Sequence, residues 1–102
     1  MPAPKFAEKE LLSTHETAVF ALSQNPKELS TYTLAQLHKE IAYARSLRDR
    51  ARDMYRRQVG KTRSVTSTKR GYSGMANERT RQKAEVLDGV VERLTAARAA
   101  AL

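Results

Sequence analysis

The sequence predicts an all-α fold: a three-helix bundle in which two long antiparallel helices are joined by a basic, flexible loop. Three observations predict it. Apolar residues recur at steps of three and four along two stretches of about 25 residues. A Gly-, Ser- and Thr-rich segment separates those stretches. Nothing in the chain reads as a strand. The expected organisation is a single helical domain, 1–102, with helices at about 5–22, 34–58 and 76–100 and a loop at 60–75.

Pro2 and Pro4 make the first residues poor helix formers. From Lys5 to about Leu22 the pattern is helical. Phe6, Ala7, Leu11, Ala18 and Leu22 fall roughly on one side, with Leu12 and Val19 close by. Glu8 and Glu10 suit the positive end of the helix dipole. Asn25-Pro26 is a turn signal that ends this helix, and Lys27–Tyr32 is a connector.

Thr33 followed by Gln36 has the form of a capping box, which satisfies orphan backbone donors at a helix start. Leu34, Leu37, Ile41, Ala44, Leu47, Ala51 and Met54 then form the best periodic stripe in the chain. Gly60 is expected to stop this helix. Residues 60–75 hold three glycines and six Ser/Thr, so they read as a loop or tether. In the last helix Ala84, Leu87, Val91 and Leu94 make the stripe, flanked by Val86, Val90 and Ala97. Gly89 costs roughly 1 kcal/mol there relative to Ala, and a small residue at that point suits close helix contact. The two long helices should pair antiparallel, with the N-terminal helix covering their exposed stripe.

Composition sets the limits. A chain of 102 residues supports one small domain and one modest core. Aromatics are 6% and Trp is absent, so the core is built from Leu, Val, Ile and Ala. There is no Cys, hence no disulfide framework and no thiolate metal site. The opening MPAPKFAEKELL lacks the apolar run of a secretory signal. No stretch approaches the ~18 apolar residues of a membrane span. A soluble, cytoplasmic protein is expected, with no membrane partner.

Charge is the most informative functional feature. Residues 45–83 carry thirteen Lys/Arg against three acids, net +10, while the flanking stretches 1–44 and 84–102 are each net −1. So localised a charge points to a polyanion or an acidic protein surface. Arg45, Arg48, Arg52 and Arg56 are spaced 3, 4 and 4 and share one helix face, and Arg50 and Arg57 extend the field sideways. Guanidinium groups pair bidentately with phosphates and carboxylates. Against binding stands internal pairing: Asp49 reaches Arg45 and Arg52, and Asp53 reaches Arg56 and Arg57. In the loop, Lys61, Arg63, Lys69 and Arg70 are dense and short of acids. Arg79, Arg81 and Lys83 open the last helix, where basic residues oppose the dipole, a local cost that binding would offset. The candidate partner-binding set is therefore Arg45, Arg48, Arg52, Arg56, Lys61, Arg63, Lys69, Arg70, Arg79 and Arg81. Replacing Lys69 and Arg70 together with Ala is expected to weaken partner binding and leave thermal stability nearly unchanged.

Catalytic signals are weak. The GKT at Gly60–Thr62 resembles the end of a phosphate-binding loop, but Tyr55 stands where that motif needs Gly and a helix precedes it instead of a strand. His15 and His38 lie on different helices with no Cys or paired carboxylate at ligand spacing. Tyr43, Tyr55 and Tyr72 suit a bundle rim, or stacking on bases among the arginines. A non-enzyme is expected, with no cofactor, no metal site and no small-molecule substrate.

The order of parts, ARSLRDRARDMYRRQ, then a basic loop with TKRG, then ANERTRQKAEVLDGVVERL, resembles small bacterial antitoxins encoded beside zeta-type toxin kinases. The likeness covers about residues 33 to 95. It implies a three-helix protein that binds its toxin and blocks the kinase's nucleotide or substrate site. A protein partner of this kind is the leading expectation. The alternative is a nucleic-acid-binding protein contacting phosphates through the central basic helix and loop, for which a pI near 10.2 is the expected footprint. The compact helix–turn–helix spacing of a DNA reader is absent, so such binding would be phosphate-driven and non-specific. A structural bundle with no specific partner is the third class.

Overall fold

A computed structural model describes residues 6–64 and 70–102, with side chains placed except at Lys9, 62–64 and 70–76. The described residues are all-α, with no strand. The helices are α1 (Glu8–Leu11), α2 (Thr14–Ser23), α3 (Pro26–Leu29), α4 (Leu34–Ser64) and α5 (Arg70–Ala101). None of them is long and apolar enough to cross a membrane.

The expected N-terminal helix at 5–22 is two helices, broken at Leu12 and Ser13. The cause is a capping box. Ser13 Oγ accepts the Glu16 N–H at 3.4 Å, and the Ser13 N–H donates to Glu16 Oε1 at 2.8 Å. Ser13 thus starts a new helix instead of continuing the old one. Pro26 does end α2, but it also opens α3 at its first position, inside the expected connector. Asn25 caps α3 by accepting the Glu28 N–H at 3.2 Å. Thr33 and Gln36 make the expected box at the start of α4, with bonds of 2.8 and 3.1 Å.

The expected loop at 60–75 is corrected. Residues 60–64 close α4 and 70–75 belong to α5, while 65–69 lie outside the described residues. Gly60 fails as a stop because a glycine C-cap needs positive φ, and no described glycine has it. The helical backbone bonds outweigh its propensity cost of about 1 kcal/mol. A Cβ built on Gly60 meets nothing within 4 Å. Gly60→Ala is therefore expected to raise stability by about 0.5–1 kcal/mol, read as a higher urea midpoint at unchanged m. Gly89 does not serve close helix contact either. The atoms nearest a Cβ there belong to the Arg93 guanidinium, at 3.3 Å.

One buried cluster joins Leu11, Leu12, Val19 and Leu29 to Leu37, Ile41, Ala44, Leu47 and Ala51 of α4 and to Leu87, Val90, Val91 and Leu94 of α5. Leu34 and Met54, the ends of the expected stripe, are 45% and 48% exposed. At 100° per residue they fall about 80° to either side of the centre of the buried α4 positions. Ala7 and Ala18 are exposed as well.

Long side chains tie the layers together. Across the α4–α5 seam, Arg98 lies 3.3 Å from His38, and Asp88 meets Arg48 and Arg52. Along α5, Arg79 donates to the Glu10 carbonyl, Lys83 pairs with Glu16 at 2.9 Å, and Arg93 donates to Ser23 Oγ at 3.2 Å.

Candidate cationic interface

The row Arg45, Arg48, Arg52, Arg56 exists on α4, but its members do different things. Arg48 is largely covered, its side chain 19% exposed, with Nε 3.1 Å from Asp49 and one terminal nitrogen 3.5 Å from Asp88. Arg52 reaches the same Asp88 oxygen at 3.2 Å. The inner pair therefore spans the seam between α4 and α5. Arg45 and Arg56 are exposed, and neither forms an ion pair with another described residue. Asp49 pairs with Arg48 instead of Arg45 or Arg52, and Asp53 takes Arg57 at 3.0 Å, one helical turn on.

A second row stands on α4. Lys39, Tyr43, Arg50, Met54, Arg57 and Lys61 are all exposed and are spaced 4, 7, 4, 3 and 4, so they share a face. At 100° per residue this face lies well over 90° around the helix from Arg45, Arg52 and Arg56. In sequence, Arg50 and Arg57 read only as a sideways extension of the first row. Tyr43 and Met54, 41% and 48% exposed, stand with them. The spacing carries that signal, but the core stripe also claims Met54 by its step of three from Ala51.

The cations of α5 are differently engaged. Because α5 begins at Arg70, Arg79 and Arg81 are several turns from its start, so the dipole argument for them fails. Arg79, besides bonding the Glu10 carbonyl, holds its guanidinium 5.7 Å from the centre of the Phe6 ring. The Phe6 N–H donates to Gln82 at 2.8 Å. Arg81 is clamped by Glu78, 3.0 Å from Nε, and by Glu85. Glu78 raises the Arg81 pKa further above its ordinary value. Arg81 in turn, aided by Gln82, holds the Glu78 carboxyl below its usual range. Arg79 thus fastens the N-terminal segment, and Arg81 is offset by two acids.

Of the expected loop cations, Lys61 is exposed on α4. Arg63 and Arg70 lie on helical backbone, with side chains outside the described set, and Lys69 lies outside the described residues. The structure thus brings together Arg45, Arg48, Arg52 and Arg56, puts Lys61 on the second row, and separates Arg79 and Arg81 from both. Among the described residues no group of three or more His, Cys, Asp or Glu side chains is arranged to hold a metal ion.

No family model matches the chain. Neither the curated proteins nor the solved structures contain a match.

Proposed function

We propose that the chain is a non-catalytic binding protein that docks on an acidic surface of a partner protein through α4, and that it acts in the cytoplasm. The toxin-neutralising role implied by the resemblance to zeta-type antitoxins is the specific form of this reading: the partner is then a toxin kinase whose site the bound chain blocks. One observation carries the protein reading. Exposed guanidiniums on α4 stand with an exposed tyrosine and methionine, Tyr43 and Met54. Protein interfaces are enriched in these three residue types. Phosphate binding alone requires cations and gives Met54 no role.

The fold proposed for this role is an antiparallel hairpin of α4 and α5, closed by the N-terminal segment into a variant three-helix bundle. The contacts 38/98 and 48/88 run in opposite senses along α4 and α5, which supports that pairing. The contacts 10/79, 16/83 and 23/93 rise together, so the N-terminal segment follows α5.

Affinity purification from the native cell with nuclease treatment tests the proposal. A stoichiometric protein that survives nuclease is the expected result. Recovery of nucleic acid alone, with log affinity falling linearly against log salt, overturns it in favour of phosphate binding. Asp88→Asn probes the row itself. It releases Arg48 and Arg52 from an acid that is 40% exposed. Stability is expected to fall by less than about 1 kcal/mol. Association with the purified partner is expected to quicken, because one acid fewer strengthens the positive field that draws an acidic surface to α4.

A further inference from the structure

One feature runs against the charge of the chain. An open groove of about 420 Å³ lies between α2, α3 and α4, and Ala18, Leu22, Tyr32, Tyr43, Glu28 and Glu40 are among the residues that line it. That volume falls within the ~300–1,000 Å³ of ligand clefts. Among the described residues no Lys or Arg lines it, and His15 is the one basic side chain there. Glu28 is committed in part to capping α3, its carboxylate 3.4 Å from Asn25 Nδ2. Glu40 is half-buried and has no hydrogen bond or ion pair with a described residue.

We infer that this groove binds a lysine- or arginine-bearing segment of a protein chain. The surfaces match the parts of such a side chain. An alkyl stem lies along Ala18 and Leu22. The cationic head meets Glu40 in a charge-assisted hydrogen bond and stacks on the phenol rings. The groove is open to solvent, so it covers one side of an extended segment instead of enclosing a small molecule. The net +8 of the chain repels a free polycation. This favours an occupant with a single cation among apolar neighbours. The site shares Tyr43 with the second row on α4 but uses none of that row's cations, so a peptide titration tests the groove alone.

Acetyl-Ala-Leu-Arg-Leu-amide titrated into the ¹⁵N-labelled full chain is the test. Saturable shifts at the amides of Val19, Leu22 and Tyr43 are expected. Glu40→Gln is expected to weaken binding about tenfold, since hydrogen bonds to charged groups contribute on that scale. Glu92→Gln, an exposed acid on α5 outside the groove, is expected to leave it unchanged. Glu28→Gln, at an exposed position, supplies a second variant should Glu40→Gln perturb the fold. Absence of saturable shifts overturns the inference, as does wild-type affinity in both Glu40→Gln and Glu28→Gln. Equal binding of a peptide with Leu in place of its Arg, or spermidine binding as tightly, overturns it too.

Discussion

Ile41→Ala is expected to lower the unfolding free energy by about 2–5 kcal/mol. Ile41 is 1% exposed and sits midway along the buried positions of α4, between Leu37 and Ala44. Its side chain belongs to the cluster that holds α4, α5 and the N-terminal helices together. Truncation removes apolar contacts and leaves a cavity that neighbours from three directions cannot all move to fill. Against a total stability of about 5–15 kcal/mol, such a loss is a large fraction. Each kcal/mol shifts the midpoint by roughly 4–8 °C in a domain of this size, so a fall of 10 °C or more is expected. Leu34→Ala is the control. Leu34 lies on the same sequence stripe but is 45% exposed, so its truncation should cost far less, of the order of 0.5 kcal/mol. Similar costs at the two positions would show that burial does not divide the stripe as the structure has it.

The contrast between Ile41 and Leu34 shows how far the sequence could be read. A step pattern of three and four identifies a helix and its apolar side. It does not say how wide the covered arc is. Only the placement of α5 and the N-terminal helices decides that Leu34 and Met54 fall beyond its edges. Caps are more legible because they are local. Thr33 with Gln36 was readable, and Ser13 with Glu16 has the same spacing. An apolar pattern runs across the second and masks it, although a residue that bonds its own N3 amide competes directly with helix continuation. Gly60 misled in the opposite direction: its propensity cost is about 1 kcal/mol, too little to end a helix carried by backbone bonds on both sides. Asp88 was illegible as a partner of Arg48 and Arg52, since forty residues separate it from Arg48. By spacing within one helix, Asp49 and Asp53 are the acids within reach of the arginine row. The acid that bridges Arg48 and Arg52 comes from the facing helix.

Glu16 combines both kinds of interaction, and its replacement should have the second-largest effect. It is 6% exposed, accepts the Ser13 N–H at 2.8 Å, and pairs with Lys83 at 2.9 Å. Burial alone would raise its pKa. The Ser13 amide and the Lys83 ammonium outweigh burial, and the pKa falls below its ordinary 4.5. A carboxyl whose pKa is lower folded than unfolded stabilises the fold fully above the unfolded value. That contribution fades as pH falls through the folded value. Glu16→Ala removes half of the capping box and leaves Lys83, 27% exposed, without its acid. A cost of about 1–3 kcal/mol at pH 7 is expected. Glu16→Gln keeps an oxygen for the Ser13 N–H but loses the charge, so it should cost less and remove this part of the pH dependence. Urea unfolding of the wild type and Glu16→Gln from pH 7 to pH 3 measures the difference. The wild-type advantage should hold at neutral pH and shrink below about 4.5, where the unfolded carboxyl begins to bind its proton. Parallel curves across that range would mean that Lys83 does not hold Glu16 as a carboxylate, and that the tie between α2 and α5 rests on packing and the Arg93–Ser23 hydrogen bond.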